Sequence, residues 1–189
     1  NPEHAEAFNN LGLALQDQTK LDEAIDAYQR AIQILPDYAE AFNNLGNALK
    51  SKGEINSALN SFYMAVAYNP NFAEAFNNLG NAFHEDGKFE SAITAYQSAI
   101  SSKHDYAEAH YNMANAFQGL GHLDQAVDAY QSAIDIKADY AEAFHNMGSA
   151  FQDGGKLDQA KEAYNSAIIF KPDYVMAFHH LSMIKTFAS

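Results

Sequence analysis

The chain has 189 residues, of which 48% are hydrophobic and 19% charged, and it contains neither Cys nor Trp. An apolar fraction this high excludes intrinsic disorder, and the lack of Cys excludes disulfides and thiolate metal ligands. The formal net charge of −13 argues against binding to nucleic acid or to an anionic membrane, because both need concentrated Lys and Arg.

No apolar stretch approaches the roughly 18 residues that a membrane-spanning helix needs, so we expect no membrane insertion. The first residue is Asn rather than Met, which suggests that the natural start and any targeting peptide are missing. The compartment is therefore unknown, with a cytoplasmic location as the default expectation.

A motif recurs along the chain every 34 residues without insertion or deletion. Its most regular part, Ala-Glu-Ala-Phe, begins at residues 5, 39, 73 and 141, and variants of it begin at residues 107 and 175. The period predicts one array whose repeats span 5–38, 39–72, 73–106, 107–140 and 141–174, with a terminal half repeat at 175–187. Residues 1–4 match the last four places of a repeat and are interpreted as the remnant of a preceding one.

The first half of each repeat predicts an amphipathic helix. Phe8, Leu11 and Leu15 are spaced by three and four residues, which places them on one helical face. The helix is predicted to stop at a left-handed residue, where Gly is favoured because it lacks a Cβ. Thr19 stands at this place in the first repeat, and the later repeats have Gly53, Gly87, Gly121 and Gly155.

The second half of each repeat predicts another helix, whose apolar stripe in the first repeat includes Leu21 and Tyr28. It ends near Pro36, because proline is not tolerated in a helix interior. Gly12 lies inside the first helix, where Gly costs about 0.5–1 kcal/mol relative to Ala, so a close backbone approach is predicted there. We expect alanines such as Ala24 to face this glycine, and aromatic residues such as Tyr28 to fill the space between repeats.

The second repeat carries a family pattern in Phe42, Leu45, Gly46, Ala58, Phe62, Ala65 and Pro70. This pattern resembles the tetratricopeptide repeat, and the other repeats follow it over essentially the whole chain. The resemblance implies an all-α fold, a right-handed superhelix of antiparallel helix pairs. It also implies that the first helices line a concave groove and the second helices form the convex face.

Polar side chains that avoid the core stripe of the first helices are predicted to face the groove, and Asn dominates them. A carboxamide offers a donor and an acceptor, which suits the backbone of an extended peptide. One column also resembles the asparagine ladder of the tetratricopeptide domain of O-linked N-acetylglucosamine transferase, namely Asn10, Asn44, Asn78, Asn112 and Asn146. The alternative is that these amides bridge neighbouring helices. The predicted peptide-binding residues are Asn9, Asn10, Asn43, Asn44, Asn47, Asn77, Asn78, Asn81, Tyr111, Asn112, Asn115, His145 and Asn146.

Glutamates begin each first helix, and the spacing from Asp37 to Glu40 is that of a capping box, as it is for Asp105 and Asp139. Carboxylates on the groove favour a neutral or basic partner. The family's carboxylate clamp for acidic chaperone tails needs Lys and Arg where this chain has Asn and Glu. Such tails are therefore not expected to bind.

Catalytic and metal-binding constellations are not found in the sequence, so no enzyme activity and no cofactor is predicted. His145 and His179 occupy equivalent places in consecutive repeats, but two ligands do not make a metal site. Carboxylates are spread singly along helical faces, and no nucleophile motif or phosphate-binding loop is present.

The predicted function is therefore a non-catalytic scaffold that binds an extended peptide or a partner surface in the Asn-rich groove. One alternative is that the array recruits substrates for a glycosyltransferase-like or sulfotransferase-like domain of a larger protein. A second alternative is self-assembly into a homo-oligomer through the open ends of the array, which expose apolar stripes.

Overall fold

The structure is a computed structural model that describes residues 2–187, and the side chains of residues 2–184. This part of the chain contains eleven α-helices and no β-strand, and consecutive helices pack in antiparallel pairs. The predicted all-α class is therefore confirmed. None of the described helices is long and apolar enough to cross a lipid bilayer. The chain divides into two compact units, Asn1–Ser102 and Lys103–Ser189, here called the N-terminal and C-terminal units.

The N-terminal unit contains three helix pairs, because each repeat turns once between its two amphipathic segments. Its helices are α1 (Pro2–Asp17), α2 (Leu21–Ile34), α3 (Ala39–Ser51), α4 (Ile55–Tyr68), α5 (Ala73–Glu85) and α6 (Phe89–Ser102). Helices α2 and α4 each pack on their own first helix and on the next first helix along the chain, and α6 packs on α5. The first helices α1, α3 and α5 also contact one another in that order, so they form one continuous surface within this unit.

The C-terminal unit repeats this arrangement with five helices. They are α7 (Ala107–Gly119), α8 (Leu123–Ile136), α9 (Ala141–Asp153), α10 (Leu157–Phe170) and α11 (Val175–Phe187). Helices α7 and α9 again lie side by side, and α11 packs on α10.

The turn inside each repeat has the predicted left-handed residue. Gly53 has φ 84° and Gly155 has φ 72°, and the glycines of the two repeats between them are similar. Thr19 adopts the same conformation with φ 62°, although its Cβ makes this region unfavourable. The repeat therefore imposes the turn geometry even where the sequence does not supply Gly.

The start of the chain differs from later repeat boundaries. Helix α1 begins at Pro2, so residues 2–4 are helical, whereas the equivalent residues around Pro36 form the turn between α2 and α3. Proline is tolerated in the first helical turn, because no intrahelical acceptor is available there for a backbone N–H.

The glycine within each first helix lies against an aromatic ring of the same repeat. A Cβ added to Gly12 would lie 2.5 Å from the Tyr28 ring, and one added to Gly46 would lie 2.6 Å from the Phe62 ring. Both rings are completely buried. The predicted close approach is present, but its partner was wrong, because an aromatic ring, and not an alanine, faces the glycine. These rings thus pack within their own repeat and fix the spacing of its two helices.

Candidate functional site

The candidate site is the surface formed by the first helices. Its residues are described by their position within the repeat, where position 1 is the first Ala of the Ala-Glu-Ala-Phe motif. Positions 5 and 6 hold most of the predicted asparagines, and position 9 holds the rest. Within each unit the first helices lie side by side, so equivalent positions form columns.

At position 5, the side chains of the first, second, third and fifth repeats lie beneath this surface. Asn9 is 5% exposed, Asn43 2%, Asn77 1% and His145 7%. Four of the predicted peptide-binding residues are therefore buried, which sequence periodicity alone did not indicate. A buried carboxamide must find hydrogen-bond partners within the protein, since unpaired polar groups destabilise the folded state.

Position 6 supplies those partners from the next repeat. The Nδ2 of Asn44 donates to Oδ1 of Asn9 at 3.0 Å, and the Nδ2 of Asn78 donates to Oδ1 of Asn43 at 2.9 Å. Asn44 and Asn78 are half-buried, and no hydrogen bond from a described residue reaches their Oδ1 atoms. The carboxamides thus bridge neighbouring first helices with one end, as the alternative interpretation proposed, and keep an acceptor at the surface.

The C-terminal unit makes the same bridge with different residues. The Nδ2 of Asn146 donates to Oη of Tyr111 at 2.9 Å and to Oδ1 of Asn115 at 3.0 Å. Two predicted site residues of α7 therefore hold one of α9, and this part of the surface is more fully hydrogen-bonded than the N-terminal part.

In the third and fourth repeats, the asparagine at position 9 accepts a hydrogen bond from a tyrosine of the second helix of the same repeat. Tyr96 donates its Oη hydrogen to Asn81 Oδ1 at 2.8 Å, and Tyr130 donates to Asn115 Oδ1 at 2.6 Å. Phe62 has no hydroxyl, and within the described part of the chain no side-chain hydrogen bond is made by Asn47. Asn47 therefore retains the full hydrogen-bonding capacity of its carboxamide.

The first helices of the N-terminal unit enclose a cavity of about 350 Å³. It brings together four predicted asparagines, three glutamates of the predicted groove, and two aromatic residues that were not predicted from the sequence. Its lining consists of Glu6, Asn9, Asn10, Leu13, Tyr38, Glu40, Asn43, Asn44, Phe72 and Glu74. The aromatic residues hold the last position of their repeats, and this regular spacing is the signal that could have identified them.

The predicted capping boxes are wrong, because the aspartates at their start are not the N-cap residues. The N-cap residues of α3, α7 and α9 are Tyr38, Tyr106 and Tyr140, each one residue after the predicted aspartate, and none makes a side-chain capping hydrogen bond. The Tyr38 carbonyl accepts the first helical hydrogen bond, from the Phe42 N–H at 3.2 Å. Burial raises the pKa of Tyr38, and the nearby Glu40 and Glu6 carboxylates raise it further. The cavity is therefore electronegative.

An aromatic cluster surrounds His145 in the C-terminal unit. Its ring is stacked on His180, with centroids 5.1 Å apart and planes 15° apart, and the Tyr174 centroid lies at 4.9 Å. The buried Nε2 of His145 has no hydrogen-bond partner. Among the described residues, no group of three potential ligands is placed to hold a metal ion. The burial of His145 within this cluster favours its neutral imidazole.

We expect acid to destabilise this cluster. Burial lowers the pKa of His145, assisted by the neighbouring His180, while the hydrogen bond that His145 Nδ1 donates to Asn146 Oδ1 opposes the shift. The unfolded chain, with an ordinary histidine pKa of about 6.5, therefore takes up the proton first, so stability falls as the pH drops below about 6.5. Urea unfolding at about pH 7.5 and about pH 5.5 measures the loss.

Asparagine, the residue at position 5 of the first three repeats, provides the matched variant. The His145→Asn chain should lose less stability between the two pH values than the natural chain. Some loss should remain, because burial also lowers the pKa of His84 and His110. An unchanged pH dependence would show that His145 does not couple folding to protonation.

Family models of one repeat type match most of the chain. The model described as TPR repeat matches residues 17–53, 46–87, 80–121 and 119–154, and the one described as tetratricopeptide repeat matches residues 141–174. No curated protein matches the chain.

Several solved structures resemble the chain over nearly its full length. The MamA protein is 27% identical, with a TM-score of 0.82 over 93% of this chain and 96% of that one. YrrB, described as a TPR protein with an unusual peptide-binding site, is 23% identical, with a TM-score of 0.78 over 95% of this chain and 93% of that one. MamA from Desulfovibrio magneticus RS-1 is 17% identical, with a TM-score of 0.82 over 90% and 97%.

The two likenesses below 25% identity support the fold alone. The family models together span residues 17–174, which is well over half of the chain. The chain belongs to the tetratricopeptide repeat family.

Proposed function

We propose that this chain is a non-catalytic scaffold that binds an extended peptide across the first helices of its N-terminal unit. Tetratricopeptide repeat proteins are protein-interaction scaffolds, and the solved neighbours are typically non-catalytic. The observation that carries the peptide site is the cavity of about 350 Å³, with partly exposed carboxamides in its wall.

The hydrogen bonds that the asparagines leave unused support this proposal. Asn44 bridges to the first helix before it through Nδ2, and its Oδ1 remains an acceptor for a peptide N–H. Asn10 is exposed, and Asn47 has no internal partner among the described residues. Asn10 lies on α1, and Asn44 and Asn47 lie on the neighbouring α3. Carboxamides are suited to an extended peptide, because they can pair with the N–H and C=O groups of its backbone.

Affinity is expected in the micromolar range. Each peptide hydrogen bond contributes about 0.5–1.5 kcal/mol, and ordering of the flexible peptide opposes it. The carboxylates of Glu6, Glu40 and Glu74 line the same cavity and favour a neutral or basic peptide over an acidic tail.

Random peptides displayed on phage and selected against the full chain provide the test. Selected peptides should bind the Asn10→Ala, Asn47→Ala double variant about tenfold more weakly, because two hydrogen bonds are lost. Asn60→Ala is the matched control, since Asn60 is exposed on the second helix α4 and should not affect binding. Fluorescence polarisation measures the affinities, and circular dichroism checks that each variant is folded.

Two results would contradict the proposal. The first is that no peptide is enriched by the chain. The second is that enriched peptides bind the double variant and the natural chain equally well, because the site would then lie elsewhere on the molecule.

A further inference from the structure

In the C-terminal unit, the chain places its own lysines over tyrosine rings. Lys137 Nζ lies 4.4 Å from the Tyr140 ring centroid, and Lys171 Nζ lies 5.0 Å from that of Tyr174. Lys171 Nζ also lies 3.0 Å from Glu142 Oε1, which is half-exposed. A ring face and a carboxylate therefore surround one ammonium group, and both attract it.

The N-terminal unit retains the ring and the carboxylate but lacks the lysine. By the 34-residue period, Glu6 and Tyr38 of the first repeat correspond to Glu142 and Tyr174 of the fifth. The position of Lys171 is taken by Leu35 in the first repeat and by Asn69 in the second. In the second repeat, Glu40 and Phe72 hold the corresponding positions. We call the carboxylate together with the aromatic ring a cation cage, and in these two repeats the cage lacks the lysine.

Both cages open into the same cavity. Glu6, Tyr38, Glu40 and Phe72 all line it, together with Glu74 from the third repeat. No lysine, arginine or histidine of the described residues forms an ion pair with any of these three glutamates. Burial raises the pKa of Tyr38 and the Glu40 and Glu6 carboxylates raise it further, in agreement with the three side chains lining one cavity. An incoming cation thus meets unneutralised charge beside an aromatic face.

The geometry suits an organic cation. Within the described part of the chain, no three acidic or histidine side chains converge closely enough to hold a metal ion. An ammonium or guanidinium group needs no such convergence, because it donates hydrogen bonds in several directions and stacks on a ring. The cavity volume of about 350 Å³ is also large enough for a long side chain.

We infer that this cavity receives a lysine or arginine side chain of the bound peptide, held between the Tyr38 ring and the carboxylates of Glu6 and Glu40. The inference rests on the proposed peptide-binding function and adds the chemical class of the residue that the peptide must present. The C-terminal unit does not share this specificity, because its own lysines occupy the equivalent cages.

A short blocked peptide, acetyl-Ala-Gly-Lys-Gly-Ala-amide, is the probe, and the same peptide with an acetylated lysine Nζ is its neutral control. Nuclear magnetic resonance follows the ring protons of Tyr38 during titration. The lysine peptide should shift these signals with roughly millimolar affinity, because one cage contact contributes little on its own. The acetylated peptide should bind about tenfold more weakly, since it has lost the positive charge.

The Leu35→Lys variant copies the arrangement of Lys171 into the first repeat. The new side chain should occupy the cage and weaken binding of the lysine peptide by about fivefold or more. Gln33→Lys is the matched control, because Gln33 is exposed on α2 and the substitution adds the same charge two residues away from Leu35. Its affinity should stay close to that of the natural chain.

Equal Tyr38 shifts with the charged and the acetylated peptide would overturn the inference, as would unchanged binding in Leu35→Lys. Failure of the proposed function is a different result, namely that the phage selection enriches no peptide. If peptides are enriched but carry no basic residue, the scaffold function stands and the cage is not part of it.

Discussion

Replacing Gly46 with alanine is expected to lower the free energy of unfolding by about 1–3 kcal/mol. Helix propensity alone predicts the opposite, since alanine is favoured over glycine by about 1 kcal/mol within a helix. The new Cβ would lie 2.6 Å from the Phe62 ring, which is completely buried and has no room to withdraw. Overpacking therefore outweighs propensity, and Gly46→Leu should be more severe.

A double-mutant cycle with Phe62→Leu tests the cause. If the ring is the obstacle, Gly46→Ala should destabilise the Phe62→Leu background less than the natural chain, with a coupling of about 0.5–3 kcal/mol. Urea unfolding followed by circular dichroism gives the four free energies. The fourth repeat offers a comparison, because Ala114 replaces the glycine there and packs in the same core cluster as Tyr130. A neutral or stabilising Gly46→Ala would show that every repeat adapts as the fourth one does.

The helices and their stops were predictable because they depend on local chemistry. The apolar spacing of Phe8, Leu11 and Leu15 identifies a helical face, and the glycine at Gly53 identifies the turn that follows the next first helix. Even the left-handed conformation of Thr19 was predicted correctly, although its Cβ makes this conformation unfavourable, because its place in the 34-residue period defines it. The capping boxes failed because their spacing remains plausible when the helix start moves by one residue, from Asp37 to Tyr38.

The roles of the asparagines were not predictable to the same degree. Asn43 and Asn44 are adjacent, both avoid the apolar stripe, and one is buried while the other is half-exposed. The difference arises from contact between successive first helices, which depends on how closely the repeats pack. The sequence pattern of a single helix does not indicate how close the neighbouring helix lies. The sequence does show a lysine three residues before the closing tyrosine of the third, fourth and fifth repeats. That this lysine lies over the tyrosine ring is known only from the structure.

Asn44→Ala and Asn10→Ala are expected to have very different effects on stability. Asn44 Nδ2 donates to Oδ1 of Asn9, which is only 5% exposed. Removing the donor leaves a buried acceptor without its partner, which should lower the free energy of unfolding by about 1–3 kcal/mol. Asn10 holds the same position in the first repeat but is exposed, because no helix of the described chain precedes α1. Its replacement should change stability by no more than about 0.5 kcal/mol.

Urea unfolding of the two variants separates structural from ligand-binding roles of this column, because a binding role predicts no difference in the absence of peptide. A loss at Asn44 alone means that one carboxamide both joins two helices and presents its oxygen to a ligand. Peptide affinity should then fall in both variants, but for different reasons: Asn10→Ala removes a contact, whereas Asn44→Ala also loosens the wall of the cavity. Equal stability of both variants would instead mean that water replaces the bridge to Asn9, and that the first helices are held together by their apolar contacts alone.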